Sequence, residues 1–187
     1  MDYTLILKAA EFAAAAHRDQ RRKDPDASPY INHPINVARL VTEVGKVDDA
    51  EIIAAALLHD TIEDTKTTAD TLRAAFGEDI LELVLEVTDD KSLDKPVRKQ
   101  LQIDNATNLS ERAALIRLAD KIANVIDITN RPPKSWDIAR RREYFDWTEK
   151  VVNNCPKVND LLELTYRAAL EEGRHALKNQ ENGSGGE

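Results

Sequence analysis

Seven consecutive apolar residues, Ile52 to Leu58, run directly into His59-Asp60, and Glu63-Asp64 follow after Thr61-Ile62. An unbroken run of alanine, leucine and isoleucine favours a helix buried on most sides. Helical spacing places His59 four residues before Glu63, and Asp60 four before Asp64, so each pair shares a face. Four ionisable side chains then project from the end of a core element. Desolvating three carboxylates together is costly unless a cation or several donors offset their charge. A metal ion answers that requirement; the alternative is a solvated helix terminus.

A second helix carries the same tension. Residues 112 to 128 are apolar on nearly every side, which marks a core helix, yet Asp120, Asn124 and Asp127 fall at i, i+4 and i+7 as a narrow polar stripe. A buried carboxylate needs partners. A neighbouring lysine or arginine would serve, and so would a metal. A third candidate is His33 in Ser28-Pro29-Tyr30-Ile31-Asn32-His33-Pro34, an extended segment in which Pro34 suits the first position of a helix. Just before it, Arg18, Arg21, Arg22 and Lys23 form a basic run in an otherwise acidic chain. Such a run is a solvated loop or a phosphate-binding one. His17, closing the first helix, reads as a hydrogen-bonded structural histidine.

The other elements read as helices too. The spacing predicts helices over residues 4 to 17 and 35 to 44, the latter ended by Gly45. It predicts a short helix from Thr68 to Phe76 broken at Gly77, another over 80 to 87, and an exposed one within 92 to 104 that carries Arg98 and Lys99. Asp48-x-x-Glu51 and Asn108-x-x-Glu111 look like helix starts. Ser135 is expected to cap a helix running to about Asn153, whose Tyr144, Phe145 and Trp147 read as core. Pro156 is expected to start the last helix, and from Lys178 the chain reads as a disordered tail. No strand alternation appears. The fold class is therefore all-α, one domain over residues 1 to 177 with a tail over 178 to 187.

Bulk properties narrow the partners. A formal net charge of −8 over 187 residues argues against nucleic-acid binding. No apolar run approaches the roughly 20 residues a spanning helix needs, so no membrane partner is expected. The start Met1-Asp2-Tyr3 lacks the pattern of a secretory signal, which makes the cytoplasm the expected location. The lone Cys155 offers no disulfide and reads as a small structural residue.

Collected, His33, His59, Asp60 and Asp120 make a mixed nitrogen and oxygen set suited to manganese, iron or zinc. The order His…His-Asp…Asp on an all-α chain resembles the HD superfamily of metal-dependent phosphohydrolases, whose fold is a helical bundle. Arg22-Lys23, Tyr30 to Pro34, Ala56 to Thr65, Glu86 to Lys91 and Leu118-Ala119-Asp120-Lys121 resemble the hydrolase domain of RelA/SpoT proteins. The Arg-Arg-Lys-Asp-Pro spelling and Tyr144-Phe145-x-Trp147 are most similar to the small stand-alone hydrolases of the metazoan SpoT homolog type. The likeness spans residues 3 to 170.

That resemblance implies manganese-dependent hydrolysis of the 3′-pyrophosphate of guanosine tetraphosphate or pentaphosphate, the alarmones of the stringent response. It implies His33, His59, Asp60 and Asp120 as metal ligands and Glu63 and Asp64 as the catalytic acidic pair. Arg22, Lys23, Lys91, Asn124 and Tyr144 would contact the guanine nucleotide. Ala123 stands where relatives carry a larger ring, which would loosen the nucleotide pocket. No nucleotidyltransferase domain is expected after residue 175. Two other functions fit the same residues: a phosphatase of NADPH or another nucleotide, and a silent nucleotide sensor, which would not need Glu63 and Asp64.

Overall fold

The computed structural model describes residues 1–183. Among them all regular structure is helical, and a lone antiparallel bridge between Arg21 and Pro29 stands in place of any strand. Helix α3 (Ala50–Leu58) is the axis of the bundle, and every residue from Ile52 to Leu58 is buried. Burying each of its larger side chains contributes about 1.5–3 kcal/mol, so the apolar run fixes where α3 sits. Helices α1 (Tyr3–Ala16), α2 (Asn32–Arg39) and α6 (Glu78–Val87) pack around it. The small residues Ala54, Ala55 and Ala56, with Ala9 and Ala13 of α1, let these backbones approach. Helix α8 (Glu111–Asn130) crosses the same core and packs along α10 (Asp160–Gly183). Gly173 permits that crossing, since a Cβ there would lie 2.7 Å from Thr129 Oγ1 and 2.8 Å from the Phe145 ring. Cys155 is a buried free thiol, as expected.

Several helix starts differ from the expected ones. Asp49, not Asp48, caps α3 by accepting from the Glu51 and Ile52 amides. Ser110, not Asn108, caps α8, and Asp137, not Ser135, caps α9 (Ile138–Asn154). The last helix starts past Pro156, where Asn159 Oδ1 accepts from the Leu162 amide. A cap must hold extended backbone while its oxygen reaches an amide two or three residues on, and sequence spacing alone does not choose between adjacent polar residues. Helix α2 begins at Asn32, so Pro34 lies within the first turn, where its missing N–H leaves no bond unmade. The chain continues through a π-helical turn, Leu40–Val44, to Gly45. Thr68 caps α5 (Ala69–Phe76) as expected, and Gly77 turns the chain into α6 at φ 88°.

The expected tail from Lys178 is also revised, because α10 stays helical to Gly183. Arg141 bonds to Gln180, and Arg142 pairs with Glu181 at 2.6 Å, tying that end to α9. Residues 184–187 lie outside the described residues. Among the described residues no helix is long and apolar enough to cross a membrane.

Helix α7 (Lys95–Asn105) has no buried residue, in keeping with the exposed helix expected there. It leans on α9, where Trp147 Nε1 donates to the Lys99 carbonyl at 3.0 Å and Asn154 donates to the Ile103 carbonyl at 3.0 Å. A cleft of about 1110 Å³ opens between this α7–α9 pair and the ends of α2, α3 and the middle of α8.

Candidate metal centre and cleft

Helix α3 ends where its buried run ends. His59 Nδ1 lies 2.8 Å from the Ala56 carbonyl, and the Thr61 hydroxyl donates to the Leu58 carbonyl at 2.6 Å. The chain then re-enters the short helix α4 (Thr61–Asp64). The single helix end expected from the sequence is thus broken at His59-Asp60, which turns both side chains toward the cleft floor.

Three elements meet there. His33 comes from the first turn of α2, His59 and Asp60 from the α3–α4 break, and Asp120 from the middle of α8. His33, His59 and Asp60 present ligand atoms that lie within 4.8 Å of one another. Asp120 Oδ1 lies 3.1 Å from His33 Nε2 and 3.9 Å from His59 Nε2. Asp60 Oδ2 lies 3.1 Å from His59 Nε2 and 3.7 Å from His33 Nε2. All four residues named from the sequence are brought together.

The donor set fits a divalent metal. The Nδ1–H of His59 is used on Ala56, so its Nε2 offers a lone pair, and that buried atom has no hydrogen-bond partner. A lone pair facing two carboxylate oxygens calls for a cation between them. Without one, a proton takes its place. Burial alone would lower the His59 pKa, but Asp60 and Asp120 outweigh burial and lift it to about 9. Burial would raise Asp120, and Lys121 with His33 instead hold it well below the usual carboxylate range. Asp60 is likewise held low, burial being overcome by His59 and His33.

The outer contacts orient these ligands. The Tyr30 hydroxyl donates to Asp60 Oδ2 at 2.7 Å. Lys121 Nζ reaches Asp120 Oδ2 at 3.2 Å, and Asn124 Nδ2 donates to Asp120 Oδ1 at 2.6 Å. Arg22 bonds in turn to Asn124 at 3.2 Å and to Asp127 at 2.6 Å. The polar stripe on α8 is thereby satisfied along its length, by a lysine as well as by the imidazoles.

The acidic pair shares Lys91, but the two carboxyls take different places. Glu63 lines the cleft, with Oε2 accepting the Asp89 amide at 3.0 Å and Oε1 3.8 Å from Arg98. Burial raises its pKa to about 7; the Asp89 amide opposes the rise, and the charges of Asp89, Asp60 and Asp64 add to it. Asp64 stands outside the cleft lining. Gln20 Nε2 donates to its Oδ2 at 2.9 Å, and the Lys91 ammonium bonds to Oδ1. Lys91 is engaged by Asp64 and lies 3.9 Å from Glu63 Oε1, and Lys23 is an exposed side chain whose charge acts on Lys95; neither is part of the cleft lining. Of the basic run, only Arg22 lines the cleft; Arg18 pairs loosely with Asp19, and Arg21 bonds to the carbonyls of Arg18 and Gln20.

The opposite wall was missed in the sequence. Lys95, Arg98 and Lys99 of α7 and Arg140 of α9 face the cleft. Burial lowers the Lys95 pKa, and the like charges of Arg140 and Lys99 add to that. Trp136, Tyr144 and Trp147 line the same wall as a chain of tilted rings, 5.4 and 5.3 Å between centroids. Tyr144 and Trp147 are half-buried, packing against core residues while also lining the cleft, whereas Phe145 is fully buried. Tyr144 keeps its phenolic proton, its pKa raised by burial and by Asp120. Ala123 is fully buried and is not part of the cleft lining, though Lys121 and Asn124 on either side of it are.

A helical bundle that brings two histidines and two aspartates from three elements to one point defines the class, and the comparison agrees: a family model described as HD domain matches residues 9–144. The chain belongs to the HD-domain family. Within it, the chain is 48% identical over 162 residues to guanosine-3′,5′-bis(diphosphate) 3′-pyrophosphohydrolase MESH1 of Xenopus tropicalis, a match covering 87% of this chain and 90% of that protein. MESH1 of Homo sapiens is 49% identical over 158 residues, covering 84% and 88%. A solved structure described as "A metazoan ortholog of SpoT hydrolyzes ppGpp and plays a role in starvation responses" superposes with a TM-score of 0.89 at 43% identity, covering 92% of this chain and 97% of that one.

Proposed function

We propose that this chain is a divalent-metal-dependent hydrolase of guanosine tetraphosphate and pentaphosphate, releasing pyrophosphate from the 3′ position and leaving GDP or GTP. Its place of action in this reading is the cytoplasm. The observation that carries the proposal is the approach of Asp120 Oδ1 to both imidazole Nε2 atoms, at 3.1 and 3.9 Å, at the floor of a cation-rich cleft.

In this reading His33, His59, Asp60 and Asp120 hold the ion, with manganese as the resident metal. A divalent ion there supplies positive charge against the attacked phosphoryl group and makes nearby water a stronger acid. Glu63 performs the proton transfer. It takes a proton from the water whose oxygen bonds to phosphorus and returns it to the 3′ oxygen as the O3′–P bond breaks. A carboxyl poised near 7 can do both at neutral pH. The nearby Asp64 carboxylate adds to that proton affinity. Arg22, with Lys95, Lys99 and Arg140 opposite, meets the phosphates, and Tyr144 with its flanking tryptophans meets the base.

The test is product identification. Metal-loaded protein should convert guanosine tetraphosphate to GDP and pyrophosphate, and His59→Ala should abolish this. Release of free phosphate in place of pyrophosphate, or no turnover by metal-saturated protein, would refute the proposal.

A further inference from the structure

His17 is a buried imidazole to which the proposed chemistry gives no task. It is 2% exposed, lies outside the cleft lining, and closes α1. Its Nδ1 sits 2.7 Å from Gln20 Oε1, and Gln20 Nε2 reaches Asp64 Oδ2 at 2.9 Å. The proton positions along this chain follow from elimination. An ionised carboxylate only accepts, so Gln20 must turn its NH2 to Asp64 and its carbonyl to His17. Nδ1 of His17 must then carry the proton. Its Nε2 has no hydrogen-bond partner, although it is buried. An unsatisfied buried ring nitrogen is disfavoured, and a residue that serves packing alone would be better replaced by an apolar one.

A face of the same ring packs toward the metal side. His17 packs on Tyr30 with centroids 4.8 Å apart and planes 30° from parallel, and the Tyr30 hydroxyl holds Asp60. Asp64's remaining partner, Lys91, is nearly half exposed on the loop after α6. Released from Gln20, the Asp64 carboxylate would be held by Lys91 alone, a half-exposed ammonium that is shared with Glu63 Oε1 at 3.9 Å.

We propose that His17 and Gln20 are positioning residues for hydrolysis: the Nδ1–H of His17 orients the Gln20 amide, and that amide holds the Asp64 carboxylate beside Glu63. The proposal rests on the reading of Asp64 as one of the acidic pair. It is tested with a double-mutant cycle at matched metal content. Gln20→Met, nearly isosteric but without a donor, should lower kcat about tenfold with KM within about twofold, and should add nothing once Asp64→Asn is present. His17→Asn keeps an N–H donor near the Nδ1 position and should retain most of kcat. His17→Phe keeps a ring against Tyr30 but loses the donor, and should fall as Gln20→Met does.

Independent, multiplying losses in the Gln20→Met, Asp64→Asn double variant would overturn the relay. Equal losses in His17→Asn and His17→Phe would overturn it as well, by a route that does not depend on how Gln20→Met folds. Full kcat in Asp64→Asn alone would instead refute the acidic-pair reading beneath it, and the relay with it.

Discussion

Replacing Glu63 with glutamine should abolish turnover and stabilise the metal-free fold. The carboxyl is held near 7 rather than its ordinary 4.5, chiefly by burial. At about 1.4 kcal/mol per pH unit that difference puts a ceiling of about 3 kcal/mol on the cost of ionising it in the fold. Partial solvation of the cleft, where the side chain is 17% exposed, reduces the expected cost to about 1–2 kcal/mol. The folded state binds the Glu63 proton more tightly than the unfolded chain does. This contribution to stability is therefore fully present below about 4.5 and lost as pH rises through about 7. Glutamine stays neutral throughout and can still accept the Asp89 amide.

Thermal unfolding in chelator should then show Glu63→Gln melting about 3–6 °C above the parent chain at about pH 8, with the gap closing toward about pH 4.5. Metal-loaded Glu63→Gln should lose about 10²- to 10⁴-fold in kcat, the usual contribution of a general acid–base. A melting temperature that drops equally at both pH values would refute the burial argument. Retained turnover would refute the proton-transfer role.

Asp120→Ala should cost about tenfold or more in metal affinity, measured by titration of the chelator-treated protein, and should remove activity with the metal. Tyr144→Ala should raise KM by about tenfold or more, since stacking on a base contributes about 1–3 kcal/mol, while kcat measured at saturation changes little. Lys95→Ala combined with Arg140→Ala should weaken substrate binding and flatten the dependence of KM on salt, read from rates at rising ionic strength. Gly173→Ala, outside the cleft lining, should cost about 1–3 kcal/mol in unfolding free energy through its clash with Thr129 and Phe145, and leave kcat/KM of the folded fraction unchanged.

Most of the proposed ligand set was legible because His59, Asp60 and Asp120 conflict with their surroundings. His59-Asp60 ends a wholly apolar run, and Asp120 interrupts a helix apolar on most sides, so burial and charge conflict in one dimension before any coordinates exist. The far wall carried no such conflict. Lys95, Arg98 and Lys99 sit on a helix with no buried residue, where charges look merely solvated, and it is the docking of α7 on α9 through Trp147 and Asn154 that brings them to the cleft. Lys23 and Lys91 were named from motifs rich in charge, and the structure places them near the cleft rather than on its wall: Lys91 joins Asp64 and Glu63, and Lys23 acts on Lys95 through its charge. The different places of Glu63 and Asp64 were invisible because they depend on the break at His59-Asp60 and on Gln20, which arrives from the end of α1. Tyr30 had a visible cue, its place three residues before His33, but its bond to Asp60 needed the α3 end to be placed.

The most direct measurement is turnover of guanosine tetraphosphate in heavy-oxygen water, with the metal first removed and then restored in steps. Attack at the 3′-phosphoryl group puts the heavy oxygen into pyrophosphate and none into GDP, at a rate that tracks metal occupancy and vanishes in Asp120→Ala. Label in GDP or in free phosphate, or an undiminished rate in chelator, would contradict a metal-centred hydrolysis at the floor of this cleft.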